Sequence, residues 1–240
     1  MAYDRLEASA VLDTAQRLQQ RIGARFPTRN LGKVAEQLVT VSTDLEKVAA
    51  RTPAIRVLRV VSLVLITILV GIAAISLGAV AVELIENPSD AIDLMSTASN
   101  VISNLVYAGL AVLFLWVLPA RLERRRLLGE LHRLRSLAHV IDMHQLTKDP
   151  ERFADAYRPT SQTVQVGLSP IDMATYLDYC SELLSLVAKT AAVYAERSTD
   201  PAVLATISDI ENLTSGMARK IWQKLSLLPG IGAVAPGTDG

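Results

Sequence analysis

The sequence holds one cysteine, three histidines, three phenylalanines, two tryptophans and six tyrosines, and its 24 basic and 24 acidic residues leave no net charge. A lone Cys180 excludes an intramolecular disulfide, and its place among apolar helical positions marks it as a buried, inert thiol. Scarce aromatics beside abundant Ala, Leu and Val favour helices over sheets. Charge neutrality lacks the basic field that a nucleic-acid partner would demand. His132, His139 and His144 are spaced seven and five apart, whereas a metal pair on one helix needs three or four, so no metal or other cofactor is expected. There is no phosphate-binding glycine loop, GxSxG elbow, CxxC or HExxH. Asp178, Glu182 and Lys189 read as neighbours on a helix surface rather than as a catalytic set, and no enzyme activity is expected. The first thirty residues carry charges throughout and have no apolar segment of the kind a cleaved signal peptide requires.

The most informative absence lies in the middle. Between Val60 and Ala120 there is no lysine or arginine, and Val60 to Val82 contains no charge at all. Two apolar spans, about 57–82 and 98–118, are each long enough to cross a hydrocarbon layer of about 30 Å as a helix. Thr52-Pro53 supplies a helix start before the first span, and Trp116 an interfacial anchor near the end of the second. Arg51, Arg56 and Arg59 precede the first span; Arg121, Arg124, Arg125 and Arg126 follow the second, and the loop between them carries only acids. Basic flanks stay on the cytoplasmic side, so both termini are expected inside, with the chain integral to a membrane, the bacterial inner membrane in the simplest case. The flanking arginines Arg56, Arg59, Arg121, Arg124, Arg125 and Arg126 suit topology determination and contact with anionic headgroups. In the first span Gly71, Ala74, Gly78 and Ala81 form a stripe of small residues fit for close helix packing, either onto the second span, where Ala108 and Ala111 would face it, or onto another subunit.

Outside the spans the helical period of apolar residues recurs. A helix over about 2–24 carries Val11, Ala15, Leu18 and Ile22. After Phe26-Pro27, a heptad-like seam follows of Leu31, Val34, Leu38, Val41, Leu45 and Val48, to be covered by the first helix or by partner subunits. Leu127, Leu131, Leu134, Ala138 and Ile141 continue the second span past Pro119 as a stalk. Asp149-Pro150 starts a short helical turn, and 158–169 is a polar loop of the length often given to functional or mobile segments. Ser169-Pro170 and Asp200-Pro201 are cap-and-first-turn signals for the last two helices, and Pro229-Gly230 ends the second.

The reading is an all-α membrane protein: an N-terminal helical pair (1–52), a two-span transmembrane hairpin (53–119), a C-terminal cytoplasmic three-helix unit (120–228) and a disordered tail (229–240). In architecture alone it resembles the two-span pore-forming effectors of bacterial defence systems; no motif carries that likeness, and no residue role is taken from it. The function expected is a membrane-anchored interaction or scaffold module that self-associates and meets a cytoplasmic protein partner. The alternative is an oligomeric two-span channel or pore subunit gated by its cytoplasmic helices. No acid, base or histidine lies between Val60 and Val82 or between Ala98 and Leu118, which argues against a proton-coupled transporter.

Overall fold

A computed structural model describes residues 6–50, 52–86, 91–196 and 198–229; the side chains at 45–50, 52–56, 83, 84, 86 and 91–98 are left aside. The described residues are mainly helical and contain no strand, and the long connection over 147–169 carries a single 3-10 turn. The helices are α1 (Ala8–Arg25), α2 (Leu31–Ala50), α3 (Thr52–Glu86), α4 (Ala91–Leu146), α5 (Pro170–Ala195) and α6 (Pro201–Ser226), with a 3-10 turn at Pro150–Phe153. The chain divides into two compact units, residues 1–49 with 127–240, and residues 50–126.

The first unit is built around α5. Thirteen of its 26 residues are buried, from Met173 to Tyr194, on more than one face, so it needs neighbours on several sides. Ser169 starts it as the sequence indicates: its hydroxyl accepts from the Asp172 amide at 3.0 Å and donates to the Asp172 carboxylate at 2.7 Å. Asp200 caps α6 by accepting from the amides of Ala202 and Val203. The few residues between α5 and α6 reverse the chain, and Val203, Ile207, Ile210, Met217 and Ile221 of α6 join the same core. From α4, Leu127, Leu131, Leu134, Ala138 and Ile141 are buried in it.

The N-terminal helices belong to this core as well, which differs from the sequence division into 1–52 and 120–228. Arg21 of α1 makes a two-pronged pair with Glu182 of α5 (2.8 and 3.1 Å), and Arg25 reaches Asp172 at 2.7 Å. Phe26 meets the rings of Tyr176 and Tyr179 edge-on, and Ser42 of α2 lies 3.4 Å from Thr190 inside the core. The exposed ion pairs contribute little, being screened by solvent; the apolar side chains beside them contribute more, roughly 1.5–3 kcal/mol for each large one fully buried. Periodicity alone cannot tell which helices share a core, because an apolar stripe has the same spacing whatever covers it. The seam of α2 answers this directly: Leu31, Val34, Leu38 and Val41 are buried within the unit, so they are a core face rather than a free coiled-coil seam. Leu45 and Val48 lie outside the described side chains.

The second unit holds α3 and the first part of α4. Its helices are longer than the apolar runs suggest: α4 begins at Ala91 rather than near 98 and runs to Leu146 through Pro119 without a break. Arg59, Ser62, Leu63 and Ile66 of α3 line one cleft with Leu115, Trp116, Val117, Pro119 and Ala120 of α4, while Leu69, Ile72, Ala73, Ser76 and Leu77 line another with α4 residues between Val101 and Ala111. The order along α4 is the reverse of that along α3. Two features fall outside the described residues: the start of the N-terminal helix at 2–5 and the tail beyond Pro229.

Candidate functional site

The surface of the second unit is apolar on almost every side. The most apolar 18-residue stretch of α3 has a mean hydropathy of 2.8 with 6% of it buried; that of α4 reaches 2.2 with none buried. Ile75 is 75% exposed and Trp116 70%. Side chains of this kind gain roughly 1.5–3 kcal/mol each when removed from water, so these faces are stabilised by an apolar surrounding.

The face of α3 that meets α4 consists of Leu69, Ile72, Ala73, Ser76 and Leu77, opposite Val101, Asn104, Leu105, Ala108 and Ala111 across a cleft of about 410 Å³. The small-residue stripe is elsewhere. Gly71 is half-buried and Ala74, Gly78 and Ala81 are exposed; a Cβ added to Gly71 or Gly78 would meet no atom within 4 Å. At about 100° per residue the stripe lies roughly 150° around α3 from the face toward α4. Ala108 and Ala111 therefore face the larger residues of α3 and not the stripe. Sequence spacing shows that a small-residue face exists; which face meets the neighbour depends on the fit of the larger side chains in the seam.

Arg59, Arg121, Arg124, Arg125 and Arg126 are exposed, while the Arg56 side chain is outside the described set. Asp178 and Lys189 are exposed, Glu182 is taken by Arg21, and Lys189 donates to Ser185 at 2.6 Å, so these three do not converge. His132 and His139 are exposed on α4, and no group of metal-ligating side chains occurs among the described residues. Cys180 is fully buried in the core, and burial pushes its thiol up to about 12.

Sequence reasoning did not identify a cationic cluster at the far end of the first unit, where α4 ends and α5 begins. Lys148, just past α4, is 8% exposed; its ammonium donates to Thr147 at 2.8 Å and lies 4.9 Å from the Tyr176 ring centre. Lys224, from the last turn of α6, caps α4 by donating to the carbonyls of Gln145 (2.9 Å) and Lys148 (3.2 Å). Arg29, between α1 and α2, donates to the Val166 carbonyl at 2.6 Å, and Arg152 donates to that of Val164 at 3.1 Å. The 158–169 loop is thus held by two arginines at its C-terminal end, with Gly167 at φ 56° permitting the bend. Burial lowers the Lys148 ammonium below its ordinary value, helped by Arg29, Arg152 and Lys224; burial also lowers Lys224, against the pull of Asp149 and Asp142. His144, 3.3 Å from the Tyr176 hydroxyl, is lowered by burial and then by Lys148.

These features define an all-helical protein with two helices long and apolar enough to cross a membrane and a separate helical unit with its own core. Comparison with known proteins matches no family model, no curated protein and no solved structure.

Proposed function

We propose that the protein is a membrane-anchored helical interaction module: α3 and the first part of α4 cross the bilayer as a hairpin, and the first unit works at the cytoplasmic face. The observation that carries this reading is the contrast between the units. One closes a core of its own, while the other leaves nearly all its apolar side chains uncovered. Lipid supplies the missing cover. The exposed Arg59, Arg121 and Arg124 to Arg126 flank the apolar stretches on the side expected to stay inside. Nothing in this arrangement needs a catalytic centre. The outward stripe of Gly71, Ala74, Gly78 and Ala81 supports self-association, since open space over both glycines lets a second helix approach closely.

A second reading, an oligomeric pore, draws on one specific observation: Ser76 and Asn104 place polar groups in the cleft between the two apolar helices. Measuring the mass of the nanodisc-embedded particle by light scattering separates the two. A monomer or dimer, with Gly71→Leu and Gly78→Leu shifting a dimer to monomer, is the expected result. A closed ring of four or more subunits that conducts ions in a planar bilayer would overturn the module reading. A chain released from membranes by alkaline carbonate would overturn both.

A further inference from the structure

We propose that the cleft at the basic end of the two apolar helices is a binding site for an anionic phospholipid, with Arg59 and Ser62 receiving its headgroup. The inference rests on the membrane reading above and names a ligand for one place in it. The cleft measures about 370 Å³ and lies between the start of α3 and the part of α4 around Pro119. Its residues differ in depth. Arg59 and Trp116 are exposed, Trp116 at 70%, whereas Pro119 is buried and Ser62 is only 4% exposed. Leu63, Ile66 and Leu115 make the rest of the wall apolar. Among the described residues, neither Arg59 nor Ser62 has an ion-pair or hydrogen-bond partner. The cleft thus holds an unpaired cation and an enclosed, unpaired hydroxyl.

Each of these features suits a different part of one molecule. Arg59 stands in the first turn of the apolar stretch Val57–Val82, at the edge of the low-dielectric layer. A phosphate supplies the missing counter-charge there, and the guanidinium fork matches its oxygens. A hydroxyl enclosed in an apolar wall costs free energy until it donates, and a phosphate or ester oxygen accepts from it. Arg59, Ser62 and Ile66 are three and four residues apart, so they share one face of α3. Read into the layer, they follow the order of a phospholipid from phosphate through ester to acyl chain. Trp116 adds a ring of the type that settles at headgroup depth. An acidic side chain on a partner helix would reach Arg59 only by entering the apolar layer, where carboxylates are costly. Lipid phosphates already stand at that depth, and basic pockets between membrane helices hold anionic headgroups in this way. A zwitterionic lipid brings a cation beside its phosphate, so the cleft selects by net charge.

The test uses the full chain in nanodiscs, with Trp222→Phe leaving Trp116 as the single tryptophan. Bromines on the acyl chains of phosphatidylglycerol, or of phosphatidylcholine in a matched set, quench the fluorescence of a ring they touch. Quenching across mixtures of the two lipids gives their relative affinity for the surface around Trp116. Phosphatidylglycerol is expected to be favoured about fivefold, the effect of one arginine at an anionic surface. Arg59→Gln should abolish the preference, and Ser62→Leu, which fills the cleft, should lower it with Arg59 intact. Should Arg59→Gln fail to insert, Ser62→Leu carries the comparison, because it changes no charge. Equal quenching by both lipids, or a preference that survives both variants, overturns the site and leaves the membrane reading standing. An equal loss from Arg125→Gln, an exposed arginine that does not line the cleft, also overturns it, since that marks a diffuse basic field. No quenching by either lipid, with release of the chain by alkaline carbonate, removes the membrane reading and this site with it.

Discussion

Single residues in the first unit show how burial decides protonation. His144 sits beside Tyr176 and Lys148, and its folded-state value lies below the ordinary 6.5 because the charged ring is desolvated and repelled. The unfolded chain therefore binds more protons than the folded one in the window just below 6.5. Stability from this group is full above that value and is lost as pH falls through the window. We expect the unfolding temperature of the full chain to drop between pH 7.5 and 5.5, and His144→Gln to remove part of that drop. Parallel curves for the two proteins would show that the contact with Lys148 does not matter. Lys148 and Lys224 follow the same sign at higher pH, in the window below 10.5. None of this is visible along the chain. His144 looks like His132 and His139 in sequence, and only its approach to Tyr176 and Lys148 sets it apart.

Among the helices, ends were easier to read than neighbours. Ser169-Pro170 and Asp200-Pro201 start α5 and α6 because a short side-chain acceptor and a ring with φ near −65° are local devices needing no tertiary partner. Asp200→Ala should cost about 1 kcal/mol through the two amides it leaves unpaired, measured by thermal or urea unfolding. An unchanged midpoint would mean that water replaces the cap fully. The start of α4 at Ala91 and its passage through Pro119 were harder to read, since 91–97 is not uniformly apolar and a proline ends some helices and only bends others. The stripe on α3 illustrates the limit. Its spacing was plain, but that Leu69, Ile72 and Leu77, and not the stripe, line the cleft toward α4 was not.

At the scale of the whole molecule, the first unit assembles helices from both ends of the chain around α5. Asp44 of α2 lies 3.6 Å from Arg133 of α4, so the two points at which the chain leaves this unit, near residues 49 and 127, are within reach of a short linker. We expect residues 6–49 joined by a flexible linker to 127–229 to fold as a helical, water-soluble protein with a cooperative thermal transition. A chain that is helical but melts without cooperativity would mean that the core needs the apolar helices for its assembly.

The sequence by itself determined the two apolar stretches, the helical class and the caps, because each follows from composition, period or a few consecutive residues. Its charge asymmetry is also the ground for the orientation that the proposed function assumes. The tertiary structure alone decided that the N-terminal helices share a core with α5, that the glycine stripe faces away from α4, and that Lys224 caps the end of α4. Those outcomes depend on contacts between residues far apart in the chain, 161 positions apart for Arg21 and Glu182. Such pairings leave no period in the chain; they are chosen by which packing buries the most apolar surface while nearly all buried polar groups still find a partner.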